Sequence, residues 1–262
     1  MSRQLAPTGR LAGRGCVITG ATGMAAAATR RFAAEGAAVV VISREPTGRV
    51  DVGASYVSAD LADEGAAERA FADAHGHLGR LDAVFAVAGG SGRRFGDGPL
   101  HELSLAAWDA TLALNATPAV LAARESLRWM LDQERDADGV RGSIVLMSSV
   151  SAFDPGPEHF GTHAYAAAKA AILGLTKAAA ARYVGDGVRV NALAPATVDT
   201  PMAARAAADS PTVEYLRHKQ PLSGGMLDPD DVVDAAVYLC GPESRRVTGQ
   251  TLVVDAGWTV RA

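Results

Sequence analysis

Residues 15–26, GCVITGATGMAA, change character twice within twelve positions. The first five are apolar with a β-branched centre, which suits a short buried strand better than a helix. Gly20 interrupts the run. From Met24 to Glu35 the chain is rich in alanine, the strongest helix former, and Gly36 follows as a helix-ending glycine. Strand, tight turn, helix and C-terminal glycine are the expected order.

The alternation continues along the chain. Apolar strand-length runs fall at 38–43, 56–58, 83–87, 143–147, 188–193 and 251–254, with helix-length segments at 63–74, 105–133, 164–182 and 230–239. Strands separated by helices predict right-handed crossovers and a parallel sheet covered on both faces. The expected fold class is therefore α/β, a doubly wound parallel β-sheet flanked by helices (a Rossmann fold), with residues 1–262 forming one domain. There is no internal repeat, low-complexity tail or linker to divide it.

Composition agrees. Of 262 residues, 48% are hydrophobic and 21% charged, enough apolar material for a large core and too little charge for a disordered chain. The net charge of −4 argues against a general nucleic-acid binder. No uncharged apolar run approaches the roughly 18 residues of a membrane span, and the arginine-bearing start lacks an apolar signal core. Cys16 and Cys240 lie in apolar segments far apart, as buried thiols in a reducing compartment do, so a cytoplasmic setting is expected. The charged stretch 132–138 reads as a solvated helix end and loop.

A glycine turn between a strand and a helix is where backbone N–H groups and the helix dipole hold a pyrophosphate. Gly20, Thr22, Gly23 and Met24 are the candidates here. The third small position is read as Ala26, giving the spacing GxxGxxA, in which the alanine adds a methyl where phosphate or strand comes close. The second strand ends in Ser43-Arg44. A guanidinium there matches a 2′-phosphate, whereas a carboxylate at 43 repels one, so NADP(H) is favoured, with Glu45 keeping NAD(H) open.

Tyr165 and Lys169 lie four apart in a helical segment and share a face, and Ser148-Ser149 ends a strand where open α/β sheets place ligands. A phenol beside an ammonium and a hydroxyl suits proton transfer to or from an oxygen. A free tyrosine has a pKa near 10, so work near neutral pH asks for about three units, roughly 4 kcal/mol, of preference for phenolate.

These pieces together resemble a short-chain dehydrogenase/reductase of the compact single-domain type. The likeness runs over residues 15–260 and is strongest in YAAAKAAILGLTKAAAARY (165–183), GVRVNALAPATVDTPM (187–202) and VTGQTLVVDAGW (247–258). The resemblance implies that Tyr165 is the general acid/base, that Lys169 lowers its pKa and holds the nicotinamide ribose, that Ser149 hydrogen-bonds the reacting oxygen, and that Asn115 supports a proton relay. It also implies that Asp60 and Leu61 contact adenine, that Pro195, Val198 and Thr200 grip the carboxamide, and that Ala88 and Gly89 border the cofactor. Such relatives usually assemble as homotetramers, with a homodimer as the smaller alternative.

Three departures stand out. The glycine turn is one residue shorter than the compact pattern, and the Asn-Asn-Ala-Gly segment appears as Ala86-Val87-Ala88-Gly89, losing two amides that tie strands to the cofactor loop. The stretch from Ser149 to Tyr165, through Pro155, Gly156, Pro157 and Gly161, is longer than usual and is expected to form a lid or pocket wall. Pro118, four residues after Leu114, has no N–H to donate, which predicts a kink beside Asn115 with main-chain oxygen left for water.

Phe153, His159, Phe160, His163, Met202 and a loop running to Leu216 are the expected pocket lining. His163 has no ligand cluster beside it, so neither a metal nor a catalytic role is assigned. Arg93-Arg94 and Arg217-His218-Lys219 are read as solvated helix faces, with substrate or cofactor anions as the other possibility. The expected activity is interconversion of a ketone and a secondary alcohol on a small-molecule substrate. A turnover-deficient binding protein and an epimerase or dehydratase remain as alternatives.

Overall fold

The computed structural model describes residues 9–45, 52–156 and 159–261. Its strands are β1 (Gly15–Thr19), β2 (Ala38–Ser43), β3 (Ser55–Ser58), β4 (Ala83–Ala86), β5 (Gly142–Met147), β6 (Val188–Pro195) and β7 (Thr251–Val254). The helices are α1 (Met24–Ala34), α2 (Glu64–Leu78), α3 (Leu105–Asp132), α4 (His163–Tyr183), α5 (Ala204–Ala207), α6 (Ser210–Lys219) and α7 (Pro229–Cys240). Among the described residues the strands form one seven-stranded sheet in the order β3-β2-β1-β4-β5-β6-β7, parallel at every pairing.

Strand side chains alternate between two apolar layers. Val17, Val84, Ile144 and Val190 face α2, α3 and α4, packing with Phe71, Leu121 and Ile172. Cys16, Ile18, Phe85 and Val145 face α1 and α7, packing with Phe32, Val233 and Ala236. Both cysteines are buried free thiols in this second layer. The chain runs outward from β1 to β3 and then returns to lay β4 on the other side of β1, so a crevice opens above the carboxyl ends of these two strands.

Local chemistry explains several element ends. Asp63 caps α2 by accepting from the Ala66 N–H at 2.7 Å, and Gly79 ends it at φ 68°. Asp228 and Asp231 form a capping box on α7, with Pro229 in its first turn. The stretch 132–138 ends α3 as expected but is more than a solvated loop: Asp136 accepts from the N–H groups of Asp138 and Val140, and Arg135 reaches the Gly185 carbonyl at 2.7 Å.

Two expectations about elements are corrected. The segment leading to Leu216 is not a loop but the ten-residue helix α6, capped by Asp209 on the Thr212 N–H at 3.1 Å. Arg93 and Arg94 are exposed as expected, but on a short 3-10 turn, Gly92–Phe95, rather than on an α-helix face. No helix of the described residues is long and apolar enough to cross a membrane.

Candidate active site

The β1–α1 turn is built for close approach. Gly20 and Gly23 sit at φ 93° and 54°, the left-handed region that favours glycine. A Cβ added at Gly23 would lie 3.1 Å from the Thr200 side chain, so this turn abuts the segment that follows β6. The first turn of α1 has neither a side-chain cap nor an acidic residue, which leaves its N–H groups and positive dipole end for an anion. The third small position is Ala25 rather than Ala26: Ala25 is buried, lines the crevice, and its methyl would lie 3.4 Å from a Cβ at Gly20, whereas Ala26 points elsewhere.

A cavity of about 940 Å³ runs from this turn across the ends of β1, β4 and β5. Gly20, Thr22, Gly23, Met24, Ser43, Arg44, Asp60, Leu61, Ala88, Gly89, Pro195, Val198 and Thr200 all border it, as do Ser149, Tyr165 and Lys169. A dinucleotide cofactor fits both the volume and the uncapped helix end. At one extremity Arg44 faces Asp60 at 3.8 Å, an ion pair whose members are each about half exposed and which is therefore weak.

Asn115 does not border the cavity. It is fully buried on α3, and its amide is spent on the β4–α3 loop: Nδ2 donates to the carbonyls of Gly90 and Thr111 at 3.0 Å, and Oδ1 accepts from the Gly90 N–H at 3.0 Å. The Thr19 hydroxyl accepts from the Ala88 N–H at 2.9 Å. The loop that lacks two amides is thus held by Thr19 and Asn115 instead. Helix α3 continues through Pro118 to Asp132.

The reactive groups converge at the end of β5. Ser149 caps a 3-10 turn by accepting from the Ser151 N–H, and its hydroxyl lies 3.2 Å from that of Ser151. Ser148 donates to the Lys169 carbonyl at 2.8 Å, fastening β5 to α4. Tyr165 is half-buried and hydrogen-bonded to the Ser149 side chain. Burial pushes its phenol up from 10.0 to about 12, with the Ser149 bond pulling the other way. Lys169 donates from Nζ to the Met147 carbonyl at 3.0 Å, lies 5.5 Å from the Tyr165 ring centre, and is lowered by burial from 10.5 to about 8. In the protein alone the phenol's pKa is set by burial against the Ser149 hydroxyl, and Lys169 does not lower it.

Sequence reasoning passed over three residues. Asp97, buried in the β4–α3 segment, accepts from the N–H groups of Ala164 and Tyr165 at 3.0 and 2.9 Å, so it caps α4 across 68 positions of chain. Gln220 holds both the N–H and the carbonyl of Thr197, fixing the turn after β6. Trp258 lines the pocket and packs edge-on against Phe160 and Tyr215 at 5.8 and 5.6 Å. Only short-range spacing is visible in a sequence, and each of these contacts is long-range.

Of the expected lining, Phe160 and Met202 border the cavity, whereas Phe153, His159, His163 and Leu216 do not. Leu216 is buried beneath Trp258, the His159 ring meets the Thr212 hydroxyl at 3.1 Å, and His163 Nδ1 meets the Gly98 carbonyl at 2.8 Å. Pro157 of the expected lid lies outside the described residues.

A family profile described as enoyl-(acyl carrier protein) reductase matches residues 19–259. The A-factor type gamma-butyrolactone 1′-reductase (1S-forming) of Streptomyces virginiae is 38% identical over 264 residues, covering 96% of this chain and 98% of its own. The cis-4-hydroxycyclohexanecarboxylate dehydrogenase of Sinomonas cyclohexanicum is 34% identical, covering 94% and 96%. A crystal structure of a putative short-chain dehydrogenase/reductase from Burkholderia xenovorans superposes with a TM-score of 0.84 at 30% identity, covering 97% of this chain and all of the other. Fold, site and relatives agree: the chain belongs to the short-chain dehydrogenase/reductase family and is an oxidoreductase of the NAD(P)-using class that acts on CH–OH/C=O groups of small molecules.

Proposed function

We propose that the enzyme interconverts a ketone and a secondary alcohol with a preference for NADP(H). The observation that carries this reading is the shared position of Tyr165, Ser149 and Lys169 on one cavity that also reaches the glycine turn and Arg44. A nicotinamide cofactor held by the glycine turn and the residues lining this cavity would supply or accept the hydride and, when oxidised, carry a positive charge.

Ser149 and Tyr165, already hydrogen-bonded to one another, direct both hydroxyls at a single substrate oxygen. With its pKa held high by burial, Tyr165 is protonated near neutral pH and donates to a carbonyl oxygen as that oxygen gains charge. In the oxidative direction the phenolate takes the alcohol proton, and the Lys169 ammonium below the ring stabilises it. Asn115 is a positioning residue: by gripping Gly90 it keeps Gly89 close, since a Cβ at Gly89 would fall 2.8 Å from Asn115 Oδ1 and 3.5 Å from Lys169 Nζ.

Arg44 and Ser43 support NADP(H). The long, exposed Arg44–Asp60 pair is readily exchanged for a dianionic 2′-phosphate, a stronger partner for a guanidinium. Two relatives, a lactone 1′-reductase and a hydroxycyclohexanecarboxylate dehydrogenase by name, support a ring-bearing ketone or alcohol as substrate.

The test is a panel of carbonyl and alcohol substrates assayed with both nicotinamide cofactors. Tyr165→Phe lowers kcat/KM for every substrate turned over by about 10²–10⁴-fold while NADPH binding persists. Turnover surviving that substitution at wild-type rates overturns the assignment.

A further inference from the structure

Two arginines that border the cavity converge on one main-chain carbonyl. Arg93 comes from the 3-10 turn after β4 and Arg205 from α5, and both border the cavity. Each donates from its Nη2 to the same acceptor, the His159 carbonyl, at 3.3 and 3.2 Å. The two nitrogens therefore lie no farther apart than those two bonds laid end to end. His159 belongs to the segment between Ser149 and Tyr165, so the pair is anchored to the stretch of chain that joins these two residues.

Both guanidiniums are exposed, so water screens much of their mutual repulsion, and an anion accepting from both would relieve what remains. Among the described residues no carboxylate forms an ion pair with either guanidinium. Two acids offset part of their charge from a distance while their oxygens are hydrogen-bonded elsewhere: Asp97 to the N–H groups of Ala164 and Tyr165, and Asp209 to Thr212. Burial and the charge of Arg205 both hold the Arg93 guanidinium below its ordinary value, with Asp97 opposing. Arg94, by contrast, lies against the Phe95 ring at 4.6 Å. The same cavity is also bordered by the apolar side chains of Phe95, Phe160, Met202 and Trp258.

We propose that Arg93 and Arg205 form a carboxylate-binding subsite, so that the substrate is a ketone or alcohol with an apolar body and a carboxylate remote from the reacting carbon. This rests on the ketone/alcohol reading above and names its substrate class. Each arginine still has N–H donors to offer beyond the one given to His159, and a planar carboxylate can accept from both. The cofactor's phosphates are served at the other end, by the turn Gly20–Met24 and by Arg44.

The test measures binding rather than turnover. Calorimetry on the NADP⁺-saturated enzyme compares 4-oxocyclohexanecarboxylate with 4-oxocyclohexanecarboxamide, and 4-oxopentanoate with 4-oxopentanamide. The acid binds about tenfold tighter than its amide in at least one series, and 0.5 M NaCl erodes that difference. Arg93→Gln and Arg205→Gln each reduce the preference about fivefold, and together they abolish it, while NADP⁺ affinity changes less than about twofold. Absence of an acid preference in both series overturns the subsite. So does a loss of NADP⁺ binding in the variants, which reassigns the pair to the cofactor. Because no turnover is needed, failure here leaves reduction of neutral ketones standing, and failure of that reduction leaves the binding result standing.

Discussion

Lys169 is the side chain on which burial and charge conflict most. It is 3% exposed, and its ammonium donates to a main-chain carbonyl rather than to a carboxylate. With a folded pKa of about 8 against an ordinary 10.5, the unfolded chain holds a proton between those values that the folded chain has released. Stability from this group is therefore lowest below pH 8 and returns as pH rises to about 10.5, by roughly 3 kcal/mol. Tyr165 acts in the opposite sense at higher pH. Its folded pKa of about 12 exceeds the unfolded value near 10, so above pH 10 the unfolded chain ionises first and stability falls. Lys169→Met removes only the first effect. Urea denaturation of wild type and variant across pH 7–10 is expected to show the wild type gaining on the variant as pH rises; a constant difference would mean that the ammonium is not desolvated. The Tyr165–Lys169 pair was legible in the sequence because four-residue spacing on a helix is a local property. Asp97, which caps that helix from 68 positions away, was not, since nothing near an isolated acid in a glycine-rich segment reveals which N–H groups it will meet.

Helix α6 does not border the cavity itself but backs Trp258 of the C-terminal turn, which does. Trp258 is the joint: its ring meets Phe160 and Tyr215, its indole N–H donates to the Asp154 carbonyl at 3.1 Å, and Leu216 lies beneath it. Trp258→Ala removes the surface on which α6 and the segment after β5 rest, at about 3–5 kcal/mol. The expected kinetic signature is a several-fold rise in KM for the carbonyl substrate with nucleotide affinity unchanged, because the glycine turn and Arg44 belong to other elements; equal weakening of both ligands would show that the wall reaches the cofactor. That α6 is not apparent from the sequence has a physical reason. SPTVEYLRHK is mostly polar, with Val213 and Leu216 as its aliphatic anchors, so its helicity comes from the Asp209 cap and from Leu216 packing under Trp258 rather than from an apolar stripe. Strands β1, β2, β4 and β5 were legible for the opposite reason: each is buried on both faces, and an apolar run bounded by turn residues is a strong local signal. The Ala25 and Ala26 positions differ by one residue in a turn, and only the side-chain direction in three dimensions separates them.

One cavity joins the two halves of the sheet. Its walls come from β1 and β2 with their turns on one side and from β4, β5 and β6 on the other, so a dinucleotide lying in it contacts both sides of the point where the strand order reverses. Binding there stabilises the chain as a unit rather than one half. At a hundredfold excess over its Kd, a ligand specific for the folded state adds about 2.7 kcal/mol. For a protein of this length that corresponds to a rise in Tm of about 5–10 °C in a single transition. If Arg44 exchanges Asp60 for a 2′-phosphate, NADPH raises the Tm more than NADH at equal concentration, and Arg44→Ala brings the two shifts together by lowering the NADPH response alone. The exposed, 3.8 Å pair makes this variant nearly neutral for the fold itself, because a half-exposed ion pair contributes under about 1 kcal/mol. Equal shifts with the two nucleotides in the wild type would assign Arg44 to solvent and leave the 2′ position unread.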